Sequence, residues 1–407
     1  MSVVSRLLER LKTDRSAQLA VGLAVLAAVY PLIVETLRDL PVIGDFIPRT
    51  GSMVVIMVTM IMALGLNVVV GYAGLLDLGY VAFYAAGAYV AGWLASQQFG
   101  QVTLHIGSTV KNNLTGIHVS MWLILILAGV FTTIVGILIG LPTLRLRGDY
   151  LAIVTLGFGE IVPQFVRNGD SLAGFDLTNG TFGIAPIDSL GIGGFVFRSQ
   201  DNRDDLYYWT AIGLVLFTVF CCIRLRDSRL GRAWIAIRED ETAAAAMGVP
   251  LMRTKTWSYA IGAFFGGVSG AFYASFKAGA FPADFFFNFS IFLLCMVILG
   301  GMGSIWGVIV GGLILGYLNI EGLATIGSKV QDAGLEFDPT KYQFGIYGFI
   351  IVVMMLFRPT GLIPERRHKI ELAEGVHDTP FYDVQTEGTL TDRDPSDDLW
   401  RNPTTCS

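Results

Sequence analysis

Charged residues are scarce in this sequence. Asp, Glu, Lys and Arg together make up 15% of its 407 residues, whereas a typical soluble domain carries about 25%. Hydrophobic residues make up 53% and lie in long runs, and one membrane span needs about 20 mostly apolar residues. These features exclude a string of soluble domains and predict an all-α membrane protein, a polytopic bundle of about ten transmembrane helices.

Motifs for chemistry are missing as well. The four cysteines have no C-x-x-C spacing, and the four histidines are too scattered to suggest a metal site. The sequence has no Gly-x-x-x-x-Gly-Lys-Ser/Thr motif, the loop that cradles ATP phosphates, and no Ser, His and Asp arrangement that suggests catalysis. We therefore expect no catalytic residue, no metal and no cofactor in this chain, and any ATP that powers it must bind to another subunit.

Ten apolar runs have about the length of a membrane span. The first run ends in Tyr30-Pro31-Leu32-Ile33-Val34 and lacks the small-residue cleavage pattern of a signal peptide, so we expect an anchor that stays in the protein. The predicted spans are residues 19–34, 52–70, 75–96, 119–141, 150–166, 207–223, 257–275, 286–300, 304–320 and 343–357.

The distribution of Lys and Arg predicts the threading of the chain. If the N-terminus is cytoplasmic and ten spans alternate, 19 of the 28 Lys and Arg residues lie on the cytoplasmic side, as the positive-inside rule requires. The last 37 residues carry a net charge of −7 and no apolar run, a composition typical of disorder. Both termini are therefore predicted to be cytoplasmic. The predicted segments are a cytoplasmic N-terminal segment (1–18), a transmembrane domain (19–370) with an extracytoplasmic loop (167–206) and a cytoplasmic loop (224–256), and a disordered acidic tail (371–407).

The cytoplasmic loop has the pattern of two short helices. Leu230, Trp234 and Ile237 recur at helical spacing, and four consecutive alanines at 243–246 favour helix. Gly248, followed by a proline two residues later, indicates a helix end. Two interpretations of this helix–turn–helix stay open: an amphipathic helix whose arginines lie on lipid headgroups, or a helix that docks on a partner.

Four stretches carry a resemblance to a known family. The loop contains Gly231-Arg232-Ala233, Ile237-Arg238-Glu239-Asp240-Glu241 and Ala246-Met247-Gly248. The others read Gly71-Tyr72-Ala73-Gly74-Leu75-Leu76-Asp77-Leu78-Gly79-Tyr80, then Leu141-Pro142-Thr143-Leu144-Arg145-Leu146-Arg147-Gly148-Asp149-Tyr150, and Thr178-Asn179-Gly180-Thr181-Phe182-Gly183-Ile184. Over residues 50–365 the chain resembles the branched-chain amino acid (leucine/isoleucine/valine) ABC transporter permeases, in their M-type subunit.

The resemblance implies a non-catalytic subunit that forms half of a translocation pore in the bacterial cytoplasmic (inner) membrane. It implies a second homologous permease, two ABC ATPase subunits that bind ATP, and an extracytoplasmic substrate-binding protein, with no nucleic acid. In such permeases the loop is an ATPase-coupling loop with the pattern Glu-Ala-Ala-x-x-x-Gly. If Gly248 takes the glycine place, the glutamate place falls on Thr242, one residue from Glu241. The expected coupling residues are Arg232, Arg238, Glu239, Asp240, Glu241, Ala244 and Gly248.

Two carboxylates within or beside apolar runs are candidates for the translocation path. Asp77 and Glu160 would be costly in lipid, and such residues by default indicate function. The alternative is a carboxylate that bonds the backbone of a broken helix, or Arg145 or Arg147, purely for packing. Where many relatives have Gln, Ser and His, this chain has Leu75, Asp77 and Tyr80. The candidate path or gate residues are Asp77, Tyr80, Thr155 and Glu160.

Glycines at every fourth position predict close helix packing. These are Gly262, Gly266 and Gly270, and Gly303, Gly307 and Gly311.

Rival functions remain at this stage. A urea or short-amide ABC permease is the nearest alternative, because selectivity can rest in the binding protein. An ion-coupled secondary transporter would use broken helices with midplane ion ligands, but it leaves the coupling loop without a role. A purely structural subunit leaves the intramembrane acids unexplained.

Overall fold

The computed structural model describes residues 27–364, apart from residues 28, 35, 37, 39–43, 108–113, 147, 172–175, 193, 194, 201 and 333–337. The chain divides into two units, Met1–Ile363 and Pro364–Ser407. The predicted N-terminal segment and acidic tail lie outside the described residues, as does most of the first predicted span, of which residues 29–34 are helical.

The described residues form a helical bundle, which confirms the all-α fold class. The α-helices that follow the helical residues 29–34 are α1 (Thr50–Asn67), α2 (Val81–Leu94), α3 (Met121–Thr143), α4 (Asp149–Arg167), α5 (Arg203–Asp227), α6 (Arg229–Glu239), α7 (Glu241–Ala246), α8 (Leu251–Lys277), α9 (Phe287–Gly300), α10 (Ile305–Tyr317), α11 (Leu323–Asp332) and α12 (Gln343–Phe357). One π-helical turn, Val68–Tyr72, extends α1, and another, Leu318–Gly322, joins α10 to α11.

Helices coincide with the nine predicted spans that follow the first one. Among the residues that the structure describes, six helical segments are long and apolar enough to cross a membrane, so the chain is a multi-pass membrane protein, while the number of ten crossings stays a prediction. One predicted span, 75–96, has wrong limits, because α2 begins only at Val81. Its first six residues are apolar but contain Asp77 and Gly79, and they form an irregular segment instead of helix.

Short strands lie in the connections of the bundle. β1 (Ala95–Ser96), β2 (Leu104–Ile106) and β3 (Ile117–Val119) form a sheet in the order β1-β3-β2, with β3 antiparallel to β1 and parallel to β2. β4 (Gly191–Ile192) and β5 (Phe195–Val196) form an antiparallel pair. Strands of two or three residues are too short to give an alternating pattern, so the sequence did not predict them.

The α8 helix packs closely against α1 and α2 through glycine. An added Cβ atom at Gly270 would lie 2.1 Å from the Tyr84 carbonyl oxygen, and one at Gly266 would lie 2.9 Å from Phe83 Cβ. At Gly262 the nearest atom would be Val69 Cγ2, at 2.6 Å. Any larger side chain at these three positions would push the helices apart.

Two further glycines lie between α9 and α10, and a third does not. A Cβ atom at Gly307 would lie 2.2 Å from the Gly300 carbonyl oxygen, and one at Gly311 would lie 2.5 Å from that of Met296. Gly303 lies before α10 in a turn, with φ of 88°, and its N–H donates to Asn67 Oδ1 at 2.9 Å. The prediction that Gly303 lies in a row of glycines on a helix is therefore wrong. Gly303 lies in a turn with positive φ, a conformation that glycine adopts without strain.

The two ends of the bundle are distinct. At the sheet end, Asp188 donates its N–H to the Ala95 carbonyl oxygen at 2.8 Å and its carboxylate bonds His118 Nδ1 at 2.7 Å, while Ile184 pairs with Ala280 just beyond α8. At the hairpin end, α6 and α7 lie beside the first turns of α8. An α-helix of 27 residues is about 40 Å long, so these ends are separated by the whole bundle.

Candidate functional site

The first candidate site is the hairpin formed by α6 and α7. The Ser228 hydroxyl oxygen caps α6 by accepting the Gly231 N–H at 3.2 Å. The apolar face of α6 is buried, with Trp234 fully enclosed, and Trp234 Nε1 donates to the Thr254 carbonyl oxygen of α8 at 2.8 Å. This face therefore packs on protein, whereas a helix lying on headgroups would leave it for lipid.

Asp240 sets the start of α7. Its Oδ1 accepts the Thr242 N–H at 2.7 Å, the Ala243 N–H at 3.0 Å and the Thr242 hydroxyl at 2.6 Å. These hydrogen bonds, the one from the Thr242 hydroxyl first, hold the pKa of Asp240 below its usual value. Asp240 is thus an N-cap residue, and the predicted helix–turn–helix is confirmed with its turn at this carboxylate.

Glycine sets the end of α7. Gly248 has φ of 83°, a conformation that glycine adopts without strain, and its N–H donates to the Ala245 carbonyl oxygen at 3.0 Å. Ala244 is buried, whereas Gly248 is exposed and a Cβ atom added there would meet open space. The buried Ala244 side chain therefore packs α7 against the bundle, and Gly248 turns the chain back towards α8.

An ion pair joins the hairpin to α8. Lys255 Nζ lies 2.8 Å from Glu241 Oε1, and the Lys255 side chain is only 4% exposed while that of Glu241 is 29% exposed. Because Glu241 is directed back at the bundle, it holds α7 in place. Arg232 and Glu239 are exposed, and Arg232 Nη1 donates to the Asp227 carbonyl oxygen at 3.0 Å.

The tip of the hairpin is apolar and exposed. Met247 is 85% exposed, and Ala243, Ala245 and Ala246 beside it are exposed as well. Exposed apolar patches indicate interaction sites, and Met adapts to the shape of a partner. The sequence reasoning did not select Met247, although its position next to the helix stop was a usable signal.

The second candidate site is the irregular backbone between the Val68–Tyr72 turn and α2, here called the broken segment (residues 73–80). Two of its amides donate to side chains, and the Leu75 N–H donates to the Val69 carbonyl oxygen at 3.1 Å. The Leu78 N–H donates to Thr155 Oγ1 at 3.0 Å and the Gly79 N–H to Asp77 Oδ1 at 2.9 Å. Just beyond it, the Val81 N–H donates to Ser290 Oγ at 2.9 Å. Irregular backbone at membrane depth is stable only where protein or a cavity satisfies it in this way.

The broken segment buries a carboxylate. Asp77 is 0% exposed, and its Oδ2 atom has no hydrogen-bond partner in the described part of the chain, although Tyr259 is a close electrostatic neighbour. The Tyr80 hydroxyl donates to the Gly262 carbonyl oxygen at 2.6 Å. The hydrogen bond from the Gly79 N–H to Asp77 Oδ1 is the contact expected if the carboxylate serves only packing. The buried Oδ2 atom is compatible with a place on the translocation path, so both interpretations stay open.

The structure separates one candidate path residue from the others. Asp77, Tyr80 and Thr155 meet at the broken segment. Glu160 lies five residues beyond Thr155 on α4, which places it on another side of the helix, and its side chain is exposed.

Comparison with known proteins decides the family. The family model described as the branched-chain amino acid transport system permease component matches residues 49–355, which includes both candidate sites. The chain belongs to this permease family. It is a permease subunit of the ABC importer type, as the sequence motifs had indicated.

Several curated relatives of the permease are transport permeases. It is 35% identical over 366 residues to the high-affinity branched-chain amino acid transport system permease protein LivM of Salmonella typhimurium, covering 84% of this chain and 77% of that protein. It is 35% identical over 374 residues to LivM of Escherichia coli, covering 87% and 76%. It is also 27% identical over 195 residues to the permease protein LivH of Salmonella typhimurium, covering 46% and 58%. No solved structure matches the chain.

An apolar crevice of about 400 Å³ lies on the permease between α3, α5 and α8. Phe217, Trp257 and Phe264 line it, together with Arg224. No candidate path residue lines this crevice, so it is separate from the broken segment. Within the residues that the structure describes, no group of three or more His, Cys, Asp or Glu side chains is placed to hold a metal ion.

Proposed function

We propose that this permease carries branched-chain amino acids across the bacterial cytoplasmic membrane as half of a translocation pore. It has no catalytic role or cofactor of its own, and separate ATPase subunits bind and hydrolyse ATP. The proposal is supported by the names of the two LivM relatives, each 35% identical to this chain. Urea or short amides are the nearest alternative substrates, whereas the relatives named above are named for branched-chain amino acids.

The proposed assembly contains a second, homologous permease. The chain is similar to both LivM and LivH of one organism, so two related permease proteins exist in that transport system. A pore with two such halves would bind two ATPase subunits at one end and a substrate-binding protein at the other. We assign the ATPases to the hairpin end and the binding protein to the sheet end, with both termini in the cytoplasm.

One observation carries the coupling role: the hairpin is tied to the bundle and exposes an apolar tip. Trp234 and the Glu241–Lys255 ion pair fix it to α8, whereas Met247 is 85% exposed. A hairpin that is fixed to α8 on one side and exposes apolar side chains on the other can bind a partner and transmit the partner's movement to α8. Closure of the ATPases would therefore move α8.

The broken segment is the proposed gate. Asp77 and Tyr80 lie in it, and Thr155 bonds its backbone. Because the segment has no internal helical ladder and Thr155 of α4 holds its backbone at Leu78, movement of α4 would change the shape of the segment. We propose that this change opens the path, and that Glu160, which is exposed, lies outside the gate.

The test is transport by the complete importer in proteoliposomes. ATP is enclosed on the ATPase side, and uptake of labelled leucine, isoleucine, valine and urea is measured with the binding protein outside. ATP-dependent uptake of the three amino acids is expected. Uptake of urea alone would transfer the proposal to the amide permeases. Accumulation of leucine by the purified chain alone, on an imposed proton or sodium gradient, would contradict an ATP-driven importer.

A further inference from the structure

The Arg238 side chain leaves the hairpin and contacts the start of the broken segment. Its Nη1 atom donates to the Gly71 carbonyl oxygen at 2.5 Å. Three residues later, an added Cβ atom at Gly74 would lie 2.9 Å from Arg238 Cγ and 3.2 Å from Arg238 Cβ. Gly74 has φ of 68°, so glycine here serves both the turn and the close approach of the arginine. The α6 helix therefore contacts the backbone on both sides of the point where α1, extended by the Val68–Tyr72 turn, ends.

The opposite side of this junction is also held. A Cβ atom at Gly71 would lie 2.0 Å from Asn67 Oδ1 and 2.5 Å from the Gly303 nitrogen, and Asn67 Oδ1 accepts the Gly303 N–H. Gly71 thus lies between Arg238 and the turn that precedes α10, with close contacts on both sides, whereas Gly74 is exposed. A displacement of α6 at Gly71 would meet Asn67 and Gly303 on the far side, which favours movement along the backbone towards Asp77.

We infer that Arg238 is a positioning residue that transmits movement of the hairpin to the broken segment. The inference rests on the proposed function, in which ATPase subunits move the hairpin. A guanidinium–carbonyl hydrogen bond is charge-assisted and stronger than a neutral one. The Glu241–Lys255 ion pair reaches α8, whereas Arg238 reaches the backbone that leads to Asp77 and Tyr80. The hairpin is thereby connected to the gate by a contact of its own.

The first experiment replaces Arg238 in the complete importer. Leucine uptake per ATP hydrolysed is measured in proteoliposomes for the wild type, Arg238→Ala and Arg229→Ala. The control residue, Arg229, lies on the same helix and is exposed. We expect Arg238→Ala to lower uptake per ATP by about tenfold, within the usual range of coupling factors, while hydrolysis continues, and Arg229→Ala to leave the ratio unchanged. Wild-type uptake per ATP in Arg238→Ala would overturn the inference.

The second experiment restores the contact covalently. In the double variant Gly74→Cys and Arg238→Cys the two Cβ atoms start about 3.2 Å apart, close to the 3.5–4.5 Å of disulfides. Reduced, this variant should be as uncoupled as Arg238→Ala; oxidised, it should regain most of the uptake per ATP. Gly74→Cys alone controls for strain and for the oxidant.

The outcomes separate the inference from the proposed function. If the oxidised double variant forms the disulfide and stays uncoupled while the single Gly74→Cys variant transports, Arg238 does not act by holding this junction. If the wild-type complex itself shows no ATP-dependent leucine uptake, the proposed function fails, whatever the variants do.

Discussion

At the scale of single residues, Lys255 and Glu241 show how unequal the two partners of one ion pair are. Lys255 is enclosed by α8 and the hairpin, whereas Glu241 retains contact with solvent. A buried charge that loses its partner has no water to replace it, while a partly exposed carboxylate regains hydration. The loss of either partner therefore has a different consequence for the fold.

Removal of the carboxylate should destabilise the permease more than removal of the lysine. Glu241→Ala leaves the Lys255 ammonium buried and should lower the free energy of unfolding by about 3 kcal/mol, whereas Lys255→Met leaves Glu241 hydrated and should cost about 1 kcal/mol. The double variant should recover most of the loss. Thermal unfolding in detergent measures all three, and equal losses in the two single variants would contradict the burial described here.

Met247 should matter for assembly and not for folding. Met247→Asp places a charge on the exposed tip of the hairpin, so binding of the ATPase subunits should weaken by at least about tenfold, as for a residue at the centre of an interface. The melting temperature of the isolated permease should not change. Co-purification of the ATPases is the measurement, and Met247→Leu, which keeps the apolar surface, is the matched control. Normal assembly of Met247→Asp would place the docking surface elsewhere.

At the scale of helices and connections, the sequence predicts the helices, because they depend on the length of the apolar runs. It misses breaks and contacts that depend on residues distant in sequence. Helices lie in the nine ranges 52–70 to 343–357 because a long apolar run in a membrane satisfies its backbone only as a helix in this fold. The break before Val81 was missed because the partners of its amides, Thr155 and Ser290, are distant in sequence. Gly303 was assigned to a helix because glycines four residues apart give the same sequence pattern whether the first of them lies in the helix or in the turn before it. Glu241 was expected in the coupling loop, and only the structure shows that it points to Lys255.

The end of α7 offers a test at this scale. Gly248→Ala puts a Cβ atom on a residue with φ of 83°, which should destabilise the hairpin by about 1 kcal/mol and lower uptake per ATP. Gly213→Ala, in the interior of α5 with equally open surroundings, should be neutral or slightly stabilising. Hydrogen exchange of the hairpin amides is the readout. Unchanged exchange in Gly248→Ala would show that the left-handed conformation is not required.

At the scale of the whole molecule, the two ends of the bundle carry different chemistry. The sheet end holds the connection between α4 and α5 and its bond to β1, and the hairpin end holds α6 and α7. The charge distribution predicts that the hairpin end is cytoplasmic. This sidedness depends on an odd number of crossings between the chain start and the loop at 167–206, so it can be tested without knowing the substrate.

Cysteine labelling from each side of the membrane is that test. Phe182 is 81% exposed at the sheet end and Met247 is 85% exposed at the hairpin end. Phe182→Cys should react with an impermeant maleimide in intact cells, and Met247→Cys only after the membrane is opened. The native cysteines, in a variant without either addition, provide the background. Labelling of both sites from outside would refute the threading.

Two hydroxyl groups, those of Thr155 and Ser290, accept backbone N–H groups in the broken segment and at the start of α2. Such acceptors allow the backbone small movements. A carbonyl oxygen that accepts a hydrogen bond inside a helix is fixed by the helix backbone. Thr155 Oγ1 and Ser290 Oγ lie instead on rotatable side-chain bonds, so each can follow its donor N–H when that group shifts by a few tenths of an ångström. When the shift becomes larger, a water molecule can take the place of either hydroxyl at little enthalpic cost. In the proposed gate, these two hydroxyl groups would therefore let the backbone move gradually and let water enter as it does so.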